Sequence, residues 1–207
     1  MSSSPTIGVF ALQGDVREHL RMLSDLGVHA VGVRRPVELD GLDGIVLPGG
    51  ESTTMYKLAR TFELFDPLRA AIRDGLPAFG TCAGMILLAD TIEGGIEGQE
   101  TIGGLDVVVR RNAFGRQVDS FETAVDFTPS WSEPFTFPAT FIRAPLVEKA
   151  GDGVEIVARV AWKQGEDRIV AVRQGRLLAT SFHPEITGDA RIHELFVDLV
   201  RAHPRGA

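Results

Sequence analysis

Leu76-Pro-Ala-Phe-Gly-Thr-Cys-Ala-Gly-Met-Ile-Leu-Leu-Ala89 sets one apolar run, Leu76 to Phe79, against another, Met85 to Ala89, with Cys82 at the junction. This is the pattern of a strand that turns sharply into a helix. Small residues on both sides let one side chain stand clear of the backbone and leave nearby N–H groups to face a reacting carbonyl. Cys82 is the only cysteine in the chain. A lone cysteine is more often a small buried hydrophobe than a nucleophile. A core cysteine, however, has no need of Gly80 and Gly84 interrupting the passage from strand to helix, so the context favours catalysis.

Outward from this turn, the N-terminal part of the chain repeats the same alternation. Ile7 to Leu12 is apolar, Asp15 to Leu26 has helical spacing, Val28 to Val33 is apolar again, and Ile45 to Leu47 precedes a helix beginning near Ser52. Such alternation reads as βαβ units on a parallel sheet. Right-handed crossovers then put helices on both faces and leave the chemistry at the carboxyl ends of the strands. Two turns fall at such ends, the one at Cys82 and Pro48-Gly-Gly-Glu-Ser-Thr-Thr54. The second is either an ordinary turn with Ser52 as helix N-cap or a loop whose glycines aim N–H groups at a developing oxyanion, and the two readings are compatible.

The middle of the chain reads as strands and loops, with Leu105 to Arg110 and Gln117 to Phe127 as strands and the three prolines of Pro129 to Pro138 marking an irregular surface connection. Val154 to Val160, Ile169 to Val172 and Leu177 to Phe182 read as strands, with Gly165-Glu-Asp as a hairpin turn. Ile192, Leu195, Phe196, Leu199 and Val200 recur at helical spacing within Asp189 to Ala202, a helix that closes the fold. The fold class is therefore α/β, with a mostly parallel central sheet, helices on both faces and a small antiparallel portion.

A chain of 207 residues with 44% hydrophobic content supports one well-buried core and not two comfortable domains. One domain over residues 1–207 is expected, with 1–5 and 204–207 as disordered tails. The net charge of −7 and the scattered basic residues argue against nucleic acid. No apolar stretch approaches the ~20 residues that span a bilayer, and the N-terminus has no secretory pattern, so no membrane association and a cytoplasmic location are expected. A single cysteine forms no internal disulfide, which agrees with a reducing compartment. The histidines show no metal-ligand spacing; His19, His29, His193 and His203 read as surface or helix histidines, and neither metal nor cofactor is expected.

Ser181-Phe-His-Pro-Glu185 follows the strand Leu177 to Phe182, which puts His183 at another strand end. A thiol attacks acyl carbon as thiolate, and a helix N-terminus and an adjacent histidine both lower its pKa. Glu185, two residues on, shares the direction of His183 if the segment is extended, and a carboxylate there fixes the imidazole tautomer. His-Pro-Glu alone reads equally well as an ordinary turn. Its combination with a glycine-flanked cysteine is far more specific.

Gly-Thr-Cys82-Ala-Gly with His183-Pro-Glu185 resembles the class I, triad-type glutamine amidotransferases, which have a flavodoxin-like fold. Ala-Leu-Gln13-Gly, Pro-Gly-Gly-Glu-Ser-Thr, Arg111-Asn-Ala-Phe-Gly-Arg-Gln117 and Phe141-Ile-Arg143-Ala-Pro narrow the resemblance to the glutaminase subunits of pyridoxal 5′-phosphate synthase. The resemblance implies hydrolysis of L-glutamine to glutamate and ammonia through a γ-glutamyl thioester on Cys82, with His183 as base and acid and Glu185 as its orienting group. It further implies an oxyanion hole at Gly50 and Ala83, and glutamine binding by Gly50, Glu51, Ser52, Arg111, Ile142 and Arg143. The implied partner is the synthase subunit, as a hetero-oligomer that receives the ammonia, with Gln13 sensitive to docking. The sequence departs from the family pattern at Asp15, where a small residue is commoner, and at Met85 and Ile186. Other readings are a glutaminase serving imidazole glycerol phosphate synthesis, a cysteine hydrolase with a similar elbow but no His-Pro-Glu, and a non-catalytic regulatory subunit.

Overall fold

The computed structural model describes residues 4–111, 113, 120–162 and 165–203. Its parallel half is built from β1 (Thr6–Phe10), α1 (Val16–Asp25), β2 (His29–Val33), β3 (Gly44–Leu47), α2 (Ser52–Thr61), α3 (Phe65–Arg73), β4 (Ala78–Thr81) and α4 (Ala83–Leu88). The strands β5 (Ala89–Glu93), β6 (Leu105–Arg110), β7 (Ser120–Phe127), β8 (Phe135–Ile142), β9 (Leu146–Ala150), β10 (Glu155–Ala161), β11 (Asp167–Gln174) and β12 (Leu177–Thr180) follow, and α5 (Arg191–Ala202) ends the fold.

The twelve strands among the described residues join one sheet, whose main path runs β2-β1-β3-β4-β12-β11-β10-β7-β8. The pairs from β2 through β12 are parallel, and those from β12 to β8 are antiparallel. Side chains in the parallel strands alternate between two cores because successive residues point to opposite faces. Ile45 and Leu47 enter the core under α2, α3 and α4, whereas Val46 and Phe79 enter the one under α1 and α5. Burial on both faces is why these strands read as continuous apolar runs rather than as alternating ones.

Two details fix the backbone at the future site. A Cβ on Gly84 would lie 1.9 Å from the Leu47 carbonyl oxygen, so only glycine lets α4 descend onto β3. At the other anchor, Phe182 is fully buried, with ring centroids 5.3, 5.7 and 6.1 Å from Phe141, Phe137 and Phe127. Aromatic pairs of this kind add about 0.5–1.5 kcal/mol each beyond area burial, which makes the main chain entering His183 rigid.

The structure corrects two expectations here. Phe135 to Pro138 belongs to β8 rather than to an irregular connection, and Pro138 is opposite Ala124. Proline is tolerated because β8 is the last strand on the path, where a missing N–H breaks no ladder. Ser4 and Pro5, expected in a disordered tail, are tied in place: the Ser4 hydroxyl donates to Gly27 O at 2.6 Å, and Pro5 O accepts from His29 N. Residues 1–3 and 204–207 of the expected tails, most of Arg111 to Gln117, and the first residues of the strand expected from Gln117 lie outside the described residues. His19 and His193, read as surface or helix histidines, are helix residues on α1 and α5, and both are fully buried.

Candidate active site

The ends of β1, β3, β4, β6, β8 and β12 converge on one hollow. Cys82 follows β4 directly, with φ +48° and ψ −102°, a left-handed conformation that costs a non-glycine residue roughly 1–3 kcal/mol and persists only where the surroundings enforce it. The enforcement comes from β12, where Thr180 O accepts the Cys82 N–H at 2.8 Å, and from α4, which begins at the next residue. The thiol is buried and lies 3.9 Å from Ile142 O.

His183 leaves β12 beside it, and its N–H donates to Thr140 O of β8 at 3.0 Å. His183 Nδ1 lies 2.8 Å from Oε1 of Glu185. The expected pairing is thus present, but the segment is not extended: Pro184–Ile186 is a 3-10 turn with His183 at its N-cap, and the turn brings the carboxylate back beneath the ring. Gly49 makes room for the imidazole, since a Cβ there would sit 2.2 Å from His183 Cε1.

A second carboxylate, unassigned by sequence, reaches the same nitrogen. Oδ2 of Asp15 lies 3.1 Å from His183 Nδ1, and the Asp15 N–H donates to Gly49 O at 3.0 Å. Burial opposes charge on His183, but its hydrogen bonds with Asp15, Cys82 and Glu185 prevail and push its pKa up to about 12. The hydrogen bond from His183 lowers Asp15. Burial pushes Glu185 up and the adjacent His183 pulls it back; within the pair the imidazole takes the proton, because two carboxylates face it. Ligand atoms of Asp15, His183 and Glu185 lie within 4.8 Å of one another, yet Nδ1 is already engaged by both carboxylates.

Across the hollow, Glu51 rather than Ser52 caps α2. Its carboxylate accepts from the N–H groups of Thr53 at 3.1 Å and Thr54 at 2.7 Å, and it pairs with Arg111 Nη2 at 3.0 Å. Burial pushes Glu51 up, and the bonds from Thr54 and Thr53 outweigh it, leaving the carboxyl below its usual range. Ser52 is buried in the first turn of the helix. Gln99, which sequence reasoning did not single out, joins these residues: its Oε1 accepts from Thr53 Oγ1 and Arg111 Nη1, both at 3.3 Å. Gln13 Oε1 accepts the Glu51 N–H at 2.9 Å, directly beside Gly50. Arg143 takes φ +43°, a second non-glycine left-handed residue at the rim.

The resulting cavity, about 460 Å3, is lined by Gln13, Asp15, Gly50, Glu51, Ser52, Cys82, Ala83, Ile86, Arg111, Ile142, Arg143 and His183. Every site residue expected from sequence lines it except Glu185, which sits behind His183. A larger hollow of about 620 Å3 over β7 and β8 has threonines and Glu122 but neither thiol nor imidazole. Convergent polar groups around one thiol therefore mark the smaller cavity as the site.

The pattern of the SNO glutamine amidotransferase family matches residues 9–202. The chain belongs to this family. It is 66% identical over 200 residues to the pyridoxal 5′-phosphate synthase subunit PdxT of Nocardioides sp., covering 97% of this chain and 98% of that protein. It is 59% identical to the subunit of the same name from Streptomyces coelicolor, covering 98% and 97%. A crystal structure of a glutamine amidotransferase superposes with a TM-score of 0.85 at 46% identity, covering 94% of this chain and 98% of that one. The structure of PurLQS from Thermotoga maritima shares the fold alone, with a TM-score of 0.65 at 20% identity over 97% of each chain. The α/β architecture of the glutamine amidotransferases, expected from the turn at Cys82, is thus the architecture of this family member.

Proposed function

We propose that the protein is the glutaminase subunit of a pyridoxal 5′-phosphate synthase, with Cys82 as nucleophile, His183 as general base and acid, and Glu185 as the group that orients it. The observation that carries this reading is that His183, held by Glu185 at 2.8 Å, lines the same cavity as the Cys82 thiol, together with Glu51 and Arg111. Full-length relatives named for pyridoxal 5′-phosphate synthase favour it over a glutaminase for imidazole glycerol phosphate synthesis.

The chemistry follows from the charges. His183 Nε2 takes the thiol proton, and the imidazolium is stabilised through Nδ1–H by the carboxylates beneath it. The thiolate attacks the side-chain amide carbon of L-glutamine, and the oxyanion so formed is met by the N–H groups of Gly50 and Ala83. The imidazolium returns its proton to the amide nitrogen, the C–N bond breaks, and ammonia leaves a γ-glutamyl thioester on Cys82. Water then gives a proton to His183 and its oxygen to the thioester carbon, which releases glutamate and restores the thiolate.

Arg111 and Glu51 present opposite charges to the two ends of an amino acid, guanidinium to carboxylate and carboxylate to ammonium. They are already paired with each other, so substrate exchanges one ion pair for two. Ser52, Ile142 and Arg143 complete the glutamine pocket. Gln13 holds the Glu51 N–H and so fixes the peptide next to Gly50, which makes the oxyanion hole responsive to a partner that moves Gln13. That partner is the synthase subunit, which takes the ammonia before solvent protonates it, and the site of action is the cytoplasm. No helix among the described residues is long and apolar enough to cross a membrane.

Mixing purified protein with the synthase subunit and L-glutamine tests the reading. Glutamate release that rises on mixing supports it, and the absence of any stimulation points to a different acceptor.

A further inference from the structure

Beneath Glu185 the site continues into the core through residues that the reaction scheme above does not use. Glu185 Oε1 is occupied by His183, but Oε2 is buried and makes no hydrogen bond of its own. His19 Nε2, on α1, lies 3.5 Å from that oxygen and 3.2 Å from Thr81 Oγ1 at the end of β4. His19 Nδ1 in turn lies 2.9 Å from Nε2 of His193 on α5. Both histidines are fully buried, and burial holds both neutral, His19 well below its ordinary range and His193 at about 3.

A neutral imidazole carries one N–H, and the partners decide where it sits. His193 Nδ1 is buried with no partner. A proton there would be an orphaned donor, the costlier of the two kinds of unpaired buried group. Its proton therefore belongs on Nε2, which donates to His19 Nδ1. That nitrogen of His19 must then be the acceptor, and the single proton of His19 falls on Nε2, facing Thr81 and Glu185. The opposite assignment would strand an N–H on His193 and turn a lone pair of His19 toward a carboxylate.

We propose that His19 is a positioning residue for the nucleophilic site, its tautomer set by His193. The ring holds an N–H dipole against the second oxygen of Glu185, keeping that carboxylate ionised and its other oxygen aimed at His183. The charged and titratable groups facing Glu185 are then His183 beside its own turn, Asp15 at the N-cap of α1, His19 on α1, and His193 from α5 through His19. Outer partners that orient the ligands of metal sites typically change activity by about ten- to a hundred-fold, and an effect of that size is expected of His19 here.

The inference rests on the glutaminase reading of Cys82, His183 and Glu185. Its test is the glutaminase rate of the chain with its synthase subunit, for wild type, His19→Leu and His19→Gln, together with histidine ring NMR on the 15N-labelled wild type. Leucine removes the donor, and glutamine returns an amide N–H near the place of Nε2. Expected are a kcat for His19→Leu lower by about ten- to a hundred-fold with KM unchanged, substantial recovery in His19→Gln, and an Nε2-protonated, neutral His19 near pH 7. An Nδ1-protonated His19 overturns the inference whether or not the leucine variant folds. So does a folded His19→Leu with wild-type kcat. Wild type that releases no glutamate with the synthase subunit overturns the glutaminase reading itself, and the inference with it.

Discussion

His183 Nδ1 and Glu185 Oε1 lie 2.8 Å apart although only Pro184 separates the two residues in sequence. A 3-10 turn closes the pair, and Phe182, buried in an aromatic cluster, anchors the chain that enters it. The pair is thus set by packing on one side and by the turn on the other, which gives specific expectations for its disturbance.

Glu185→Gln keeps the shape of the turn but removes the charge that stabilises the imidazolium. An analogous change in a serine-type triad costs about 10^4 in kcat. Asp15, 3.1 Å from the same nitrogen, remains to supply part of the missing charge. A loss of about 10^2 to 10^3 in kcat is expected, with a further loss when Asp15→Asn is added; steady-state glutamate release by the single and double variants checks it.

Gly49→Ala places a methyl group 2.6 Å from His183 Nδ1 and 2.9 Å from Asp15 Oδ2. The ring must tilt away from Glu185. Glutaminase activity should fall by at least about tenfold, the loss expected when a general base leaves its place, while circular dichroism reports an intact fold.

Glu51→Ala removes the cap of α2 and the partner of Arg111 together. Loss of the cap should lower stability by about 1 kcal/mol, and the half-exposed ion pair adds little to that. KM for glutamine should rise more than kcat falls, because the lost contact is to the bound substrate and not to the reacting carbon. Urea unfolding and initial-rate kinetics measure the two effects separately.

His19 and His193 are buried neutral, His193 with its pKa lowered to about 3 from an ordinary 6.5. In the unfolded chain both take up protons below that ordinary value and in the folded chain they do not. Their contribution to stability is therefore complete above pH 6.5 and is lost as pH falls toward about 3. Each contributes a slope approaching ~1.4 kcal/mol per pH unit below that point. His183, raised in the folded state, loses its contribution as pH rises through its unfolded value, so it opposes this slope near pH 6.5 and leaves it unchanged toward pH 5. Urea midpoints between about pH 6.5 and 5, before most carboxylates titrate, should fall in wild type and fall about half as steeply in His193→Gln.

Much of the fold was legible because the parallel strands are buried on both faces. Ile45 to Leu47 and Leu76 to Phe79 needed only their unbroken apolar character to read as strands, and glycine at 80 and 84 marked the turn between β4 and α4. The strand at Phe135 to Ile142 was hidden by Pro138, which signals a break unless the strand is at an edge, a tertiary fact. Asp15 and His19 were missed for a different reason. They lie four residues apart at the start of α1, and each reads as an ordinary surface polar residue until α1 is laid against the His183 turn. A signal was present, because His19, Met22 and Leu23 share the buried face of α1, and a histidine at an apolar position of an amphipathic helix asks for a buried partner.

The account depends above all on Cys82 as the attacking atom. The direct measurement is glutamate and ammonia release from L-glutamine, in the presence of the synthase subunit, by wild type and by Cys82→Ala shown by circular dichroism to be folded. The account predicts turnover by wild type and none above background by the variant. Undiminished turnover by folded Cys82→Ala would contradict it.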